Sequence, residues 1–495
     1  MSELIYKSAY QLARMIRERQ ISAVELLEAY LNQISRHNSE LNAVCTLNDK
    51  ALETAKQADE ALAKGENWGL LHGVPITIKD TFETKGLLTT AGYEPLRNYI
   101  PTEDATAVAR LRQAGAIIIG KTTPSQLAGD YQGINDIFPT VNNPWNLEYT
   151  SGGSSSGAAA GVLAGFSSFE LGSDIGGSIR HPSHFCGIYG LKPTDRRVPT
   201  TGHIGDTTNM DFRCIRQMLT VGGLARSVKD LELCLKIIAG ADNRQTDIPP
   251  VPLDEVEEKS LDNLKIAWTD EIPLYPVARE IKSTMQSVRD KLVDARVNVE
   301  SWIPKFDFAK AWEVYYAVGT YNLIYTQPTD FKSTGQQLGF MWREATQGDK
   351  SFRKISQIPN IVLPIFLKPS LKGYFAALTQ RDNLIAQMDR ELEQWDVWLC
   401  PVAMTAAFTH RVKGAAIEVD GKKVPYQMAN GAYLVPFNLT GHPVVVIPIG
   451  FTSDGLPIGM QIVGKRWKEM ELLSVAEELD EIISGFQIPD LFKQQ

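Results

Sequence analysis

Helical and strand periodicities alternate along this chain with no linker between them, and that alternation limits the architecture more than any other feature. Ala9, Leu12, Ala13 and Ile16 share one helical face, and Ser22 with Glu25 forms a capping box ahead of Val24, Leu27, Tyr30 and Ile34. A third helix is expected over 51–64, leading into an apolar strand over 71–79, and a helix over 105–113 closes at Gly115 before a strand over 116–119. A helix over 228–239, a strand over 265–268 and a helix over 281–293 continue the pattern. The expected architecture is α/β: a mixed, largely buried sheet with helices on both faces, in which sites form at strand ends. With 495 residues, 43% of them hydrophobic and 22% charged, and no Pro/Gly/Ser-rich or like-charge linker to interrupt them, one large domain is expected.

The run from Tyr149 to Arg180, YTSGGSSSGAAAGVLAGFSSFELGSDIGGSIR, carries two glycine-serine knots. A serine beside paired glycines can be approached closely, and successive amides in such a turn can converge on a developing oxyanion. The hydroxyl still needs a base. Lys79 is the candidate: it follows Val74, Ile76 and Ile78 in an apolar strand, where burial would lower its pKa and leave a neutral amine able to take a proton. A lone Gly-Gly-Ser reads as an ordinary turn, but two of them with such a lysine do not. Gly152 and Gly157 match the glycine spacing of a phosphate-binding loop, yet Ala158 and Ala159 stand where Lys and Ser/Thr are required. His181, His184 and Cys186 have no second ligand cluster, and the stretch 176–180 misses the G-x-S-x-G elbow at its last position, so they read as structural.

GVPITIKD over 73–80, GGSS over 152–155 and LGSDIGGSIRHPSHFCGIYGLKPT over 171–194 together resemble the amidase signature family. So do GAIIIGKTTPSQLAGDYQ, NNPWN, NLTGHPVVVIPIG and GLPIGMQIVG, and most of the chain is covered except about 242–395. The resemblance implies a Ser-cisSer-Lys triad of Ser178 as nucleophile, Ser154 as bridging cis serine and Lys79 as base; the separation 178 − 154 = 24 selects Ser154 over Ser155 and Ser156. It further implies an oxyanion hole from the backbone amides of Ile175, Gly176, Gly177 and Ser178. Ser173, Asp174 and Arg180 would support that loop, Ser155 would hydrogen-bond near Lys79, and Ala128, Gly129 and Asp130 would face substrate. The implied organisation is N-terminal helices over 1–68, a catalytic core over 69–240, a variable helical insertion over 300–395 and the rest of the core over 396–495. The common family form PGGSSGGSA is replaced here by Ser151, Ser156 and Ala158, and Ser156 in a glycine position is expected to meet a permissive or mildly strained φ.

A formal charge of −8, with Lys and Arg scattered among acids, makes nucleic acid an unexpected partner. No apolar leader opens the chain and no run reaches the roughly 18 residues of a membrane span, so a cytoplasmic protein without stable membrane insertion is expected. Five cysteines, Cys45, Cys186, Cys214, Cys234 and Cys400, form no CxxC pair and read as reduced core thiols. No cofactor or metal is expected, and a homodimer is left open. From 306 to 394 the pattern is helical and aromatic, with Trp312, Tyr315, Tyr316, Tyr321, Tyr325, Phe331, Phe340, Trp342, Tyr374 and Phe375; IPNIVLPIFL over 358–367, broken by Pro359 and Pro364, either lines an acyl pocket or packs as plain core. The expected activity is hydrolysis of a small-molecule carboxylic amide, aryl or acyl, through an acyl-enzyme on Ser178. Two alternatives stay open: the glutamine-hydrolysing subunit of a transfer-RNA amidotransferase, and an amidase that passes its acyl group to an amine. A non-catalytic scaffold is disfavoured because no triad residue is lost.

Overall fold

The computed structural model describes residues 2–204, 215–256, 261–324, 347, 370–483 and 485–493. Its N-terminal helices start where the caps place them: Ser8 and Ser22 accept from the third helical amide while Gln11 and Glu25 reach back, opening Ala9–Arg17 and Ala23–Leu41. Ala9, Leu12, Ala13 and Ile16 are all buried.

The main sheet contains β1 Val44–Leu47, β2 Pro75–Lys79, β3 Ile117–Thr122, β4 Phe169–Asp174, β5 Tyr189–Lys192, β6 Thr220–Ala225, β7 Ile266–Trp268, β8 Val299–Ser301, β9 Val397–Pro401, β10 Val444–Phe451 and β11 Pro457–Val463. They lie in the order β1-β3-β2-β4-β6-β5-β10-β11-β9-β7-β8, eleven strands in one domain. The sheet is mixed: β2 runs parallel to β3 and β4, whereas β6, β5, β10, β11 and β9 follow one another antiparallel. Adjacent residues of β6 show that both faces are covered, because side chains alternate along a strand. Gly222 faces Ile179 at the head of the helix Arg180–Cys186, while Gly223 faces Leu231 and Cys234 of the helix Val228–Ile238.

Two strand boundaries differ from the hydropathy reading. The strand expected over 71–79 begins at Pro75, because Val74 donates back to the Leu71 carbonyl and Gly73 takes a φ of +75°, turning the chain just before it. The strand expected over 116–119 continues to Thr122, since Lys121 and Thr122 are buried with partners, Asp80 for the one and Glu170 for the other. Hydropathy cannot see such pairing.

The helices Phe308–Ile324 and Leu371–Leu392 fall within the aromatic region, and both pack against the short helix Val435–Thr440. Trp312 is buried, whereas Phe375 is 58% exposed. The run 358–367, the side chains of Tyr321, Tyr325, Phe331, Phe340 and Trp342, and Cys214 lie outside the described residues. No described helix is long and apolar enough to cross a membrane.

Candidate active site

Parallel pairing of β2 with β4 brings the first side chains together. Thr77 is in register with Glu170 and Ile78 with Leu171, so Lys79 arrives beside Ser173 at the same end of the sheet. Lys79 Nζ is fully buried and donates to Ser154 Oγ at 2.9 Å and to Ser173 Oγ at 3.1 Å. Burial pushes the amine down from 10.5 to about 7, against the opposing pull of Asp174 and Glu170. Glu170 does not supply a full charge at neutral pH: burial raises it to about 8, and the Thr122 and Thr77 hydroxyls bind its carboxyl. Ser173 Oγ also lies 3.0 Å from His203 Nε2, and burial together with the nearby Lys79 lowers that imidazole to about 3.

The two knots are joined through the backbone. Ser155 N donates to the Ser178 carbonyl at 3.2 Å, and Ser125 N to the Ser154 carbonyl at 3.1 Å. The Gly153–Ser154 peptide is cis. Gly153 must be glycine, because a Cβ there would stand 2.5 Å from the Asp130 carbonyl oxygen. Ser156 carries no positive φ; it starts the helix Ser156–Leu163 and donates from Oγ to the Gly152 carbonyl at 2.5 Å, so of the two expected conformations it takes the permissive one. Ser155 Oγ is buried with no hydrogen-bond partner among the described residues, so the contact expected for it near Lys79 is not made there. Ser178 is 7% exposed, and its Oγ hydrogen-bonds to no described group, Ser154 included.

The loop 175–178 is held from behind. A trans peptide points its N–H opposite to its C=O, so fixing a carbonyl aims the next amide. The Asp174 carbonyl accepts from Thr220 Oγ1 and from Asn438 Nδ2, both at 3.2 Å. The Ile175 carbonyl accepts from Tyr315 Oη at 3.0 Å, and the Gly177 carbonyl from His181 N at 2.7 Å. The amides that follow those three carbonyls lie in the same planes, and those of Gly176 and Ser178, like that of Ile175, donate to nothing among the described residues. Gly177 differs from the expectation: its amide donates to Asp174 Oδ1 at 2.8 Å while Tyr131 Oη donates to the Gly176 carbonyl at 2.7 Å, so this peptide is occupied at both ends.

Asp174 and Arg180 form a fully buried ion pair at 3.1 Å. Burial alone would raise the Asp174 carboxyl, but Arg180 and the Asn438 amide outweigh it and hold it well below the usual range. The same carboxylate accepts from the amides of Ile179 and Arg180, which caps the start of the helix Arg180–Cys186. Arg180 also donates to the Leu434 carbonyl, Gln461 and Asn438, so no guanidinium charge is left unmatched.

Of Ala128, Gly129 and Asp130, the last has its carbonyl oxygen against Gly153, and Leu127 and Ala128 are both at positive φ. Asp130 accepts from Tyr426 Oη at 2.8 Å, and the Gly129 carbonyl from Lys413 Nζ. Neither His181 nor His184 hydrogen-bonds to the hydroxyl of Ser154 or Ser178. His181 accepts from Gly153 N and meets Asn430, while His184 accepts from Gly459 N and meets the Thr405 carbonyl. Burial lowers the first to about 3 and the second to about 4. Sequence reasoning missed Tyr131, Tyr315, His203, Asn438 and Gln461. Tyr131, Asn438 and Gln461 lay within family-like segments, but nothing local marks Tyr315 or His203.

A family model described as Amidase matches residues 25–473. A glutamyl-tRNA(Gln) amidotransferase subunit of Exiguobacterium sibiricum is 32% identical over 493 residues, covering 96% of this chain and 97% of that protein. Among solved structures, a 6-aminohexanoate cyclic dimer hydrolase complexed with substrate matches at a TM-score of 0.78 with 24% identity, covering 99% of this chain and 100% of its own. A bacterial aryl acylamidase of the amidase signature family matches at 0.78 with 22% identity and 99% coverage of both chains.

Proposed function

We propose, from the premise that this chain belongs to the amidase signature family of amide hydrolases, that it cleaves carboxylic amides to acid plus amine or ammonia through an acyl-enzyme on Ser178. The observation that supports this most directly is a fully buried Lys79 amine, lowered to about 7, held 2.9 Å from Ser154 Oγ. A neutral amine can accept along the same line on which it now donates. In the proposed reaction Ser178 Oγ attacks the carbonyl carbon as its proton passes to Ser154 Oγ and the Ser154 proton to Lys79 Nζ. For this, Ser178 turns its hydroxyl toward Ser154 when substrate arrives, a rotation about one side-chain bond. The carbonyl electron pair moves to oxygen, where the amides of Ile175, Gly176 and Ser178 receive it; each such donor is worth about 3 kcal/mol. Collapse breaks the C–N bond, the proton returns through Ser154 to the departing nitrogen, and water repeats the sequence on the ester.

Ser173, Asp174 and Arg180 hold base and loop in place, and Ala128, Gly129 and Asp130 present backbone to the substrate. The organisation into 1–68, 69–240, 300–395 and 396–495 belongs to this proposal. Leu434, whose side chain lies against Gly177, supports an aryl or acyl amide with an apolar group. Free thiols at Cys45, Cys186, Cys234 and Cys400 support the cytoplasm as the compartment.

A second reading, the glutamine-hydrolysing subunit of a transfer-RNA amidotransferase, is favoured by the 32% identity over almost the whole length of one such relative. On that reading the exclusion of nucleic acid drawn from charge lapses, because the enzyme would act within a complex on transfer RNA. The purified chain is assayed on p-nitroanilides of increasing acyl length and on glutamine, alone and with partner proteins, with gel filtration reporting any homodimer. Turnover of anilides by the lone chain, with an acyl adduct on Ser178 by mass spectrometry, supports the first reading. Glutamine turnover that needs the partners supports the second, and full activity in Ser178→Ala refutes both. Hydroxylamine added during turnover measures transfer to an amine against hydrolysis.

A further inference from the structure

Four peptide planes make up the loop from Asp174 to Ser178, and three of their amides donate to no group among the described residues, which leaves them to meet an oxyanion. Two of those three planes are aimed by groups of the central core: Thr220 and Asn438 at the Asp174 carbonyl, and the His181 amide at the Gly177 carbonyl. The third is different. Its carbonyl, Ile175, is held by the hydroxyl of Tyr315, 140 positions away in the helix Phe308–Ile324. Tyr315 Oη also closes over Gly176, where a Cβ would lie 2.7 Å from it. Two glycines and no helix restrain the backbone at this point, so the plane is free to rotate when its carbonyl is released.

We propose that Tyr315 is a positioning residue for the chemical step: by donating to the Ile175 carbonyl it aims the Gly176 amide at the oxyanion, and it thereby ties the insertion helix to catalysis. The proposal rests on the acyl-enzyme reading above. Burial pushes the Tyr315 phenol far up, so it stays a neutral donor throughout the working range. Tyr131 supplies an internal comparison. It too donates a phenol hydrogen to a loop carbonyl, but the amide of that plane is already bound to Asp174, so losing the phenol leaves the plane held at its other end.

The test compares Tyr315→Phe with Tyr131→Phe in the full chain, using butyryl p-nitroanilide as substrate and a butyl trifluoromethyl ketone as a probe whose adduct places an oxyanion in the same position. Tyr315→Phe is expected to lower kcat about tenfold or more, short of the hundredfold to thousandfold of a donor removed outright, with KM unmoved. Binding of the ketone should weaken by a matching factor while competitive binding of butyrate stays the same. Tyr131→Phe should lose less. Incorporating 3-fluorotyrosine at 315, which keeps the hydroxyl and the ring, should keep kcat near that of the natural chain and serves as the readout if the Phe variant folds poorly. Unchanged kcat in Tyr315→Phe, a rise in KM alone, an equal loss in Tyr131→Phe, or a fluorotyrosine variant as slow as the Phe variant would overturn the proposal. Failure of the acyl-enzyme reading shows separately, as turnover surviving in Ser178→Ala.

Discussion

Replacing Lys79 with Met should abolish activity and yet stabilise the protein, by an amount that depends on pH in a defined way. In the unfolded chain the amine titrates near 10.4, while in the fold it does so at about 7. Below pH 7 the folded protein therefore carries a buried ammonium at a cost of about 5 kcal/mol, which methionine, similar in length and uncharged, does not incur. Between pH 7 and about 10 the unfolded chain holds one proton more than the fold, so the natural protein gains stability as pH rises, about tenfold in folding constant per pH unit. Above that range the cost is gone. The hydrogen bonds to Ser154 and Ser173 are lost in the variant, at about 1 kcal/mol each. The net gain for Lys79→Met is thus about 3 kcal/mol below pH 7, where it is flat, and it shrinks above that pH. Urea denaturation followed by tryptophan fluorescence at pH 6, 7, 8 and 9 measures this, and subtracting the two proteins cancels the titrating groups that do not interact with Lys79. A stability difference independent of pH, or a Met variant less stable at pH 6, would refute the claim that this lysine is held neutral by burial.

In the natural protein kcat should rise about tenfold per pH unit up to about pH 7 and then level, because only the neutral amine is competent; a rate falling from pH 6 to 9 contradicts this. Ser154→Ala should lower kcat by about a hundredfold to ten-thousandfold with little change in KM, as steady-state kinetics on an anilide will show. Asp174→Asn leaves Arg180 as an unpaired buried charge and should destabilise by about 3–5 kcal/mol in denaturant titration; a change under 1 kcal/mol would mean the pair is not the brace described here. Changing His181 and His184 to Gln together should preserve the position of the kcat limb, since both imidazoles are already neutral, and loss of that limb would transfer the role of base to a histidine.

What could be read from the chain alone was whatever depends on neighbours in sequence. Helical faces, capping boxes and an apolar strand ending in lysine follow from spacing within a turn or two; they marked Lys79 as a buried amine, while the grouping of Lys79 with Ser154 and Ser178 came from the resemblance to the amidase signature family. Even there the reading stopped at polar residues: Lys121 and Thr122 extend β3 only because Asp80 and Glu170 meet them. Hydrogen-bond direction was a matter for the tertiary structure. Four consecutive amides from Ile175 to Ser178 look equivalent in sequence, but one of them is bound to Asp174, and the plane that aims another is held by a tyrosine 140 residues on. Composition and periodicity decide which segments are buried together, because burial is driven by area and has no direction. Where an amide or a lone pair points depends on partners brought close by the packed sheet, and no local pattern encodes those.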